Sequence, residues 1–108
     1  MDITNYNTIV EKQINKCKEM ISSKRSEYAN DKDPLNNFNR AGNLLGKTPI
    51  GALAGMMSKH TISVYDMLKD HEAGRRFSKE KWDEKITDSI NYLLLLQTLL
   101  EEDRGLHE

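Results

Sequence analysis

The chain is short of cysteine, proline, glycine, unbalanced charge and long apolar runs, and each shortage removes a class of protein. With Cys17 as the one cysteine, an internal disulfide and a multi-cysteine zinc site are both excluded, which fits a reducing cytoplasm. Sixteen Lys and Arg stand against seventeen Asp and Glu, for a net charge of −1. The cationic surplus that drives duplex nucleic-acid binding is therefore missing. The longest run of large apolar side chains, Tyr92 to Leu96, falls far below the roughly 20 residues of a membrane-spanning helix. Met1 to Val10 carries acidic and amide residues where a signal peptide has a basic and then an apolar stretch. Membrane and duplex partners are not expected, and the expected location is the cytoplasm.

What remains is 108 residues, 37% hydrophobic and 31% charged, enough for one domain spanning 1–108. A domain of this size buries only about two thirds of its unfolded surface. Modest apolar content then favours a homo-oligomer that shares its core with a copy of itself. The apolar pattern is helical almost throughout. Ile3, Val10, Ile14, Cys17, Ile21 and Tyr28 step as one face of a long helix over about 3–28. Asp33-Pro34 reads as a cap and first helical residue, opening a short helix over about 34–46. Thr48-Pro49 repeats that signal for a helix over about 49–70, with Ile50, Leu53, Met57, Val64 and Leu68 as its stripe. Gly51 and Gly55, one turn apart, leave room for another backbone. The last helix, about 79–103, carries Trp82, Ile86, Ile90, Leu93 and Leu100 on one face, with Leu94, Leu95 and Leu96 pointing elsewhere. Five successive large side chains, Tyr92 to Leu96, cover every direction around a helix. That turn belongs at the centre of a bundle or against a second subunit. The expected fold is all-α, with about four helices.

Polar residues are ordered along two of these helices. Glu84, Asp88 and Asn91 lie at i, i+4 and i+7, and two carboxylates one turn apart with an amide behind them suit Mg²⁺. The alternative is a solvated face of charge pairs. On the third helix, Lys59 stands in line with Ser63, Asp66 and Asp70, next to His60. Lys59 either meets a phosphate or pairs with Asp66 at the surface; a histidine in His60's position is more often a hydrogen-bonded core residue than a ligand. A third set, Lys24, Arg25, Glu27, Tyr28, Asp31, Asp33, Asn36, Asn37, Phe38 and Arg40, combines rings for stacking on a base, amides for its edge and cations for its phosphate. The same rings could instead anchor the loop to the core. Cys17 falls in an apolar stripe and reads as a small buried hydrophobe. No Ser–His–acid spacing, Gly-rich phosphate loop or His-Glu-x-x-His helix occurs.

The segments Lys24-Arg25-Ser26-Glu27-Tyr28-Ala29, Asp33-Pro34-Leu35-Asn36-Asn37-Phe38-Asn39-Arg40, Lys59-His60 with Asp66, and Trp82 through Leu96 resemble small helical proteins of phages and prophages. Those proteins are similar to the nucleotide-modification-associated domains and, more distantly, to the MazG-like all-α nucleotide pyrophosphohydrolases. The likeness covers about residues 20–100, and Asp88-x-x-Asn91-Tyr92 is its most specific part. It implies a MazG-like helical bundle and a nucleotide-type ligand. In MazG-like enzymes Mg²⁺ sits on a Glu-x-x-Glu pair and a Glu-x-x-Asp pair. Asp88 matches the last of these ligands and Glu84 a neighbour, with Asp66 as the third candidate. The chain departs from the pattern upstream: it has no Glu-x-x-Glu, Asp66 and Asp70 are four apart, and Glu80-x-x-Asp83 lies at the helix start. Hydrolysis needs that metal set, whereas binding needs cations, amides and a ring.

The expected function is thus binding of a nucleotide or nucleotide-derived signal, in a phage setting as sequestration of a host defence signal in the host cytoplasm. The ligand-binding residues would be Lys24, Glu27, Tyr28, Asn37, Phe38, Arg40, Lys59, His60, Asn91 and Tyr92, with Asp66, Glu84 and Asp88 as the metal set. A Mg²⁺-dependent nucleoside triphosphate pyrophosphohydrolase and a non-catalytic helical adaptor are the alternatives.

Overall fold

The computed structural model describes residues 1–28 and 33–105, the side chains of 24–28 excepted. The described residues form an all-α fold of four helices, α1 (Ile3–Tyr28), α2 (Asn36–Leu45), α3 (Pro49–Glu72) and α4 (Lys79–Asp103). Three of them begin where a short polar side chain satisfies a first-turn N–H that has no carbonyl partner. Asp2 Oδ1 accepts from Asn5 N at 2.8 Å, Thr48 Oγ1 from Gly51 N at 3.0 Å, and Ser78 Oγ from Lys81 N at 3.1 Å. The start of α2 differs from expectation. Asp33 Oδ1 accepts from Leu35 N at 3.0 Å and its carbonyl from Asn36 N at 3.2 Å, so Asp33 and Pro34 form a turn and the helix opens two residues later.

The exit from α2 is tightly built. Gly46 adopts φ 65°, and Lys47 N donates to Gly42 O at 2.8 Å, which folds the chain back over the last turn. Gly42 is buried beneath that fold-back, and a Cβ there would stand 2.7 Å from Lys47 O and 3.1 Å from Pro49 N. Gly55 is the opposite case: a Cβ would meet nothing within 4 Å, so no described backbone uses the space it leaves.

Leu35, Phe38, Leu53 and Leu99 form the core, with Ile50, Met56, Tyr92, Leu95 and Leu96 packed around them. Among the described residues, Leu53 is the large side chain that is wholly buried. The stripes read from the sequence are met in part. On α3, Leu53 and Ile50 face the core, but Met67 is buried where Leu68 is exposed. On α4 the face is rotated. Leu95 and Leu96 enter the core, while Ile86 and Leu93 face out, because Tyr92 and Leu99 lie on the side turned to α3. The turn between α3 and α4 is closed by edge-on contacts of Trp82 with His71 and Phe77, and Arg75 and Lys81 each lie 4.9 Å from the Phe77 ring.

Helix α1 packs chiefly on α4. Gln13 Nε2 donates to the buried Thr87 hydroxyl at 2.8 Å, Lys16 Nζ donates to Asp83 at 2.6 Å, and Cys17 is buried as expected. Residues 1–12 are exposed throughout. The expected stripe is therefore covered at Cys17 and Ile21 and bare at Ile3, Val10 and Ile14. The radius of gyration, 16.2 Å, exceeds the roughly 13 Å of a compact chain of this length.

Two outcomes follow from this packing. Gly42→Ala should cost about 1–3 kcal/mol, since backbone must move to admit the methyl, whereas Gly55→Ala should add up to about 1 kcal/mol; urea unfolding of both variants checks the contrast. Hydrogen bonds from Lys16 and Lys79 hold the Asp83 carboxyl below the usual carboxylate range. The stability this confers is present above that range and is lost as pH falls through the depressed value. Asp83→Asn should cost less than about 1 kcal/mol at neutral pH, because the pair is water-screened. In acid unfolding curves the difference from wild type should shrink as pH falls and vanish once Asp83 is protonated in the folded chain.

Candidate functional site

Along α4, Asp88, Asn91, Tyr92 and Leu95 fall at i, i+3, i+4 and i+7 and so share one side of the helix. That side forms a wall of a cavity of about 470 Å³, a size that admits a small organic ligand. Helix α1 closes it with Met20, Ile21 and Ser22, the α2 region with Pro34, Leu35, Asn37 and Phe38, and α3 with Met56; Thr98 lies at the far end of the α4 wall. Apolar surface dominates, and a few polar groups are set into it.

Asn91 is the most unusual of them. Its side chain is buried, the residue being 7% exposed, and neither its amide nitrogen nor its amide oxygen has a hydrogen-bond partner. A buried amide left in this state costs about 1–3 kcal/mol, and the great majority of buried polar side chains avoid it. Thr87, one turn earlier on α4, is equally buried but is satisfied by Gln13. Beside Asn91, Tyr92 is half-buried, and burial followed by the Asp88 charge pushes its hydroxyl above the usual tyrosine range. The His60 ring stacks at a tilt on Tyr92, with centroids 4.9 Å apart, and its Nδ1 lies 3.7 Å from Asp88 Oδ2. That is an ion-pair distance for a protonated ring and too long for a hydrogen bond; His60 Nδ1 has no hydrogen-bond partner.

Several of the residues expected at a site converge here. Asn37, Phe38, Asn91 and Tyr92 line the cavity, and His60 stands behind Tyr92. Asp88, assigned from sequence to a metal, is a cavity residue as well. Arg40 and Lys59 are exposed, and the cavity wall among the described residues includes neither. Lys24, Glu27 and Tyr28 fall outside the described side chains. The three candidate metal ligands are brought together only in part. Glu84 and Asp88 line a groove with Glu19, Asp83 and Lys16 that adjoins the cavity at Met20 and Asp88, and Asp66 is exposed on α3. Six residues beyond His60, a helix has turned by about 240°, so Asp66 cannot share His60's direction. Among the described residues no three His, Cys, Asp or Glu side chains are placed to hold one metal ion. Met20, Met56, Leu35 and Leu95 were not recognisable as cavity residues, since an apolar side chain at helical spacing looks the same whether it fills a core or lines a hole.

Asn91→Leu removes the unpaired amide and has the cavity to grow into, so it should stabilise the fold by about 1–3 kcal/mol. Thr87→Val, which leaves the Gln13 amide only the weak Cys17 Sγ acceptor at 3.6 Å, should destabilise by about 1 kcal/mol. Thermal and urea unfolding of the two variants would show shifts of opposite sign; a loss of stability in Asn91→Leu would mean the amide is satisfied in solution. No family model matches the chain, and no curated protein or solved structure matches it either.

Proposed function

We propose that the chain binds a nucleotide or nucleotide-derived signal, with the flat ring of the ligand in the cavity between α1, α2 and α4. The observation that carries this reading is the buried, unpartnered carboxamide of Asn91. A carboxamide offers a donor and an acceptor side by side, the complement of a base edge, and a ligand that paired both would recover the cost of leaving them bare. The Phe38 and Tyr92 rings supply surfaces for stacking, and Asp88 supplies an acceptor for an amino group or a sugar hydroxyl. Phosphates would extend outward, where the exposed Arg40 and Lys59 are available. Binding is better supported than hydrolysis, because groups that recognise a ring converge, while among the described residues no three His, Cys, Asp or Glu side chains come together to hold a metal ion. Sequestration of a signal, as the phage resemblance implies, requires binding alone.

Isothermal titration against nucleoside mono- and triphosphates, cyclic dinucleotides and ADP-ribose derivatives, with and without Mg²⁺, tests the proposal. At least one ligand should bind, and Asn91→Leu should weaken it by about 10- to 100-fold, the worth of one or two buried hydrogen bonds. Arg40→Ala with Lys59→Ala should weaken the phosphorylated ligand more than its nucleoside. Absence of binding across the panel would overturn the proposal, and Mg²⁺-dependent release of pyrophosphate would replace it with the hydrolase.

A further inference from the structure

Half of α1 lies bare within the chain. Ile3, Tyr6, Ile9, Val10 and Ile14 fall on the side of the helix that further along carries Gln13, Cys17 and Ile21. Where that side meets α4 it is covered, and Cys17 retains 3% of its surface. Ahead of the crossing it is open: Ile3 keeps 70%, Tyr6 57% and Ile14 49%. We infer that a second copy of the chain docks on this face, the two α1 helices lying side by side.

Area is the first argument. The five side chains leave on the order of 500 Å² uncovered, in the upper part of the roughly 300–600 Å² of a monomer's largest apolar patch and the larger part of the roughly 800 Å² per partner that a stable dimer buries. The chain's own packing points the same way, since only seven apolar residues are buried among those described and the radius of gyration exceeds that of a compact monomer. Charge selects the occupant. From Ile3 to Ile14 no charged residue falls on this side, the flanks at its N-terminal end are the amides Asn5 and Asn7, and Lys16, further along, is paired with Asp83 on α4. Such a face can meet itself across a two-fold axis without like charges coming together, and it offers an anionic or cationic partner nothing to read. The inference rests on the α1 face and is independent of the ligand proposed for the cavity.

Sedimentation velocity of the full chain, without ligand, over a hundredfold range of concentration is the test. Twice the 12.4 kDa chain mass is expected at the upper end. Tyr6→Lys and Val10→Lys, both at exposed positions, should weaken the dimer at least about 100-fold by burying an unpaired charge. Ile62→Lys, on the exposed side of α3, should leave it intact. A wild type that stays monomeric at the highest concentration overturns the inference, as does a dimer that survives both α1 substitutions or that Ile62→Lys breaks as readily. If the α1 variants lose helicity, the wild type decides: a melting temperature that rises with concentration supports the dimer, and a constant one overturns it.

Discussion

The meeting of Leu35, Phe38, Leu53 and Leu99 is the contact on which the other features depend. It joins α2, α3 and α4 at one point, and Leu53 at its centre is, among the described residues, the large side chain wholly removed from water. Burying a leucine is worth about 1.5–3 kcal/mol, so this contact is a small core for the three helices it joins. Many large apolar side chains stay outside it, on α1, α3 and α4. The tight return at Gly42 serves the same contact, because it sets α2 against α3 at the angle that brings Phe38 to Leu53.

The cavity follows from what that contact does not reach. On α4, Tyr92, Leu95 and Leu99 are drawn towards α3, and the helix must then present Asp88 and Asn91 between α3 and α1. A larger residue on α1 at Met20 or Ile21 would fill the space. Instead α1 is fixed by polar links, Gln13 to Thr87 and Lys16 to Asp83, which set its position a few residues short of the cavity without closing it. The hole and its unpaired amide are thus consequences of an α4 that has more polar residues facing inward than a core of this size can satisfy.

Much of the fold was legible from residue types alone. Thr48-Pro49 and Ser78 announced their helices because a cap is a local bargain between a side chain and three backbone amides. Asp33-Pro34 misled by two residues, since the same aspartate oxygen can close a turn instead of a cap. Helical period placed apolar faces but could not say which would be covered. Ile3 and Val10 carry the same signal as Cys17, and Ile86 and Leu93 the same as Leu95; coverage depends on where α4 crosses α1, a long-range fact. Site residues followed the same rule. Phe38, Asn37, Asn91 and Tyr92 were recognisable because rings and amides are conspicuous near acids, whereas Asp66 looked equivalent to Asp88 in sequence and differs only in the direction α3 gives it.

The proposed ligand and the proposed dimer rest on separate observations, yet their sites share α1 and would be coupled through it. The bare half of α1 and the Met20–Ile21–Ser22 wall of the cavity belong to one helix, so a partner that holds the first restricts the second. Ordering a helix costs conformational entropy whichever event imposes it. A ligand that meets a wall already held by the dimer binds with less of that cost outstanding, and by reciprocity the bound ligand tightens the dimer by the same factor. The uncovered apolar face and the unsatisfied amide lie on the two helices, α1 and α4, whose mutual contact is largely polar, through Gln13 with Thr87 and Lys16 with Asp83.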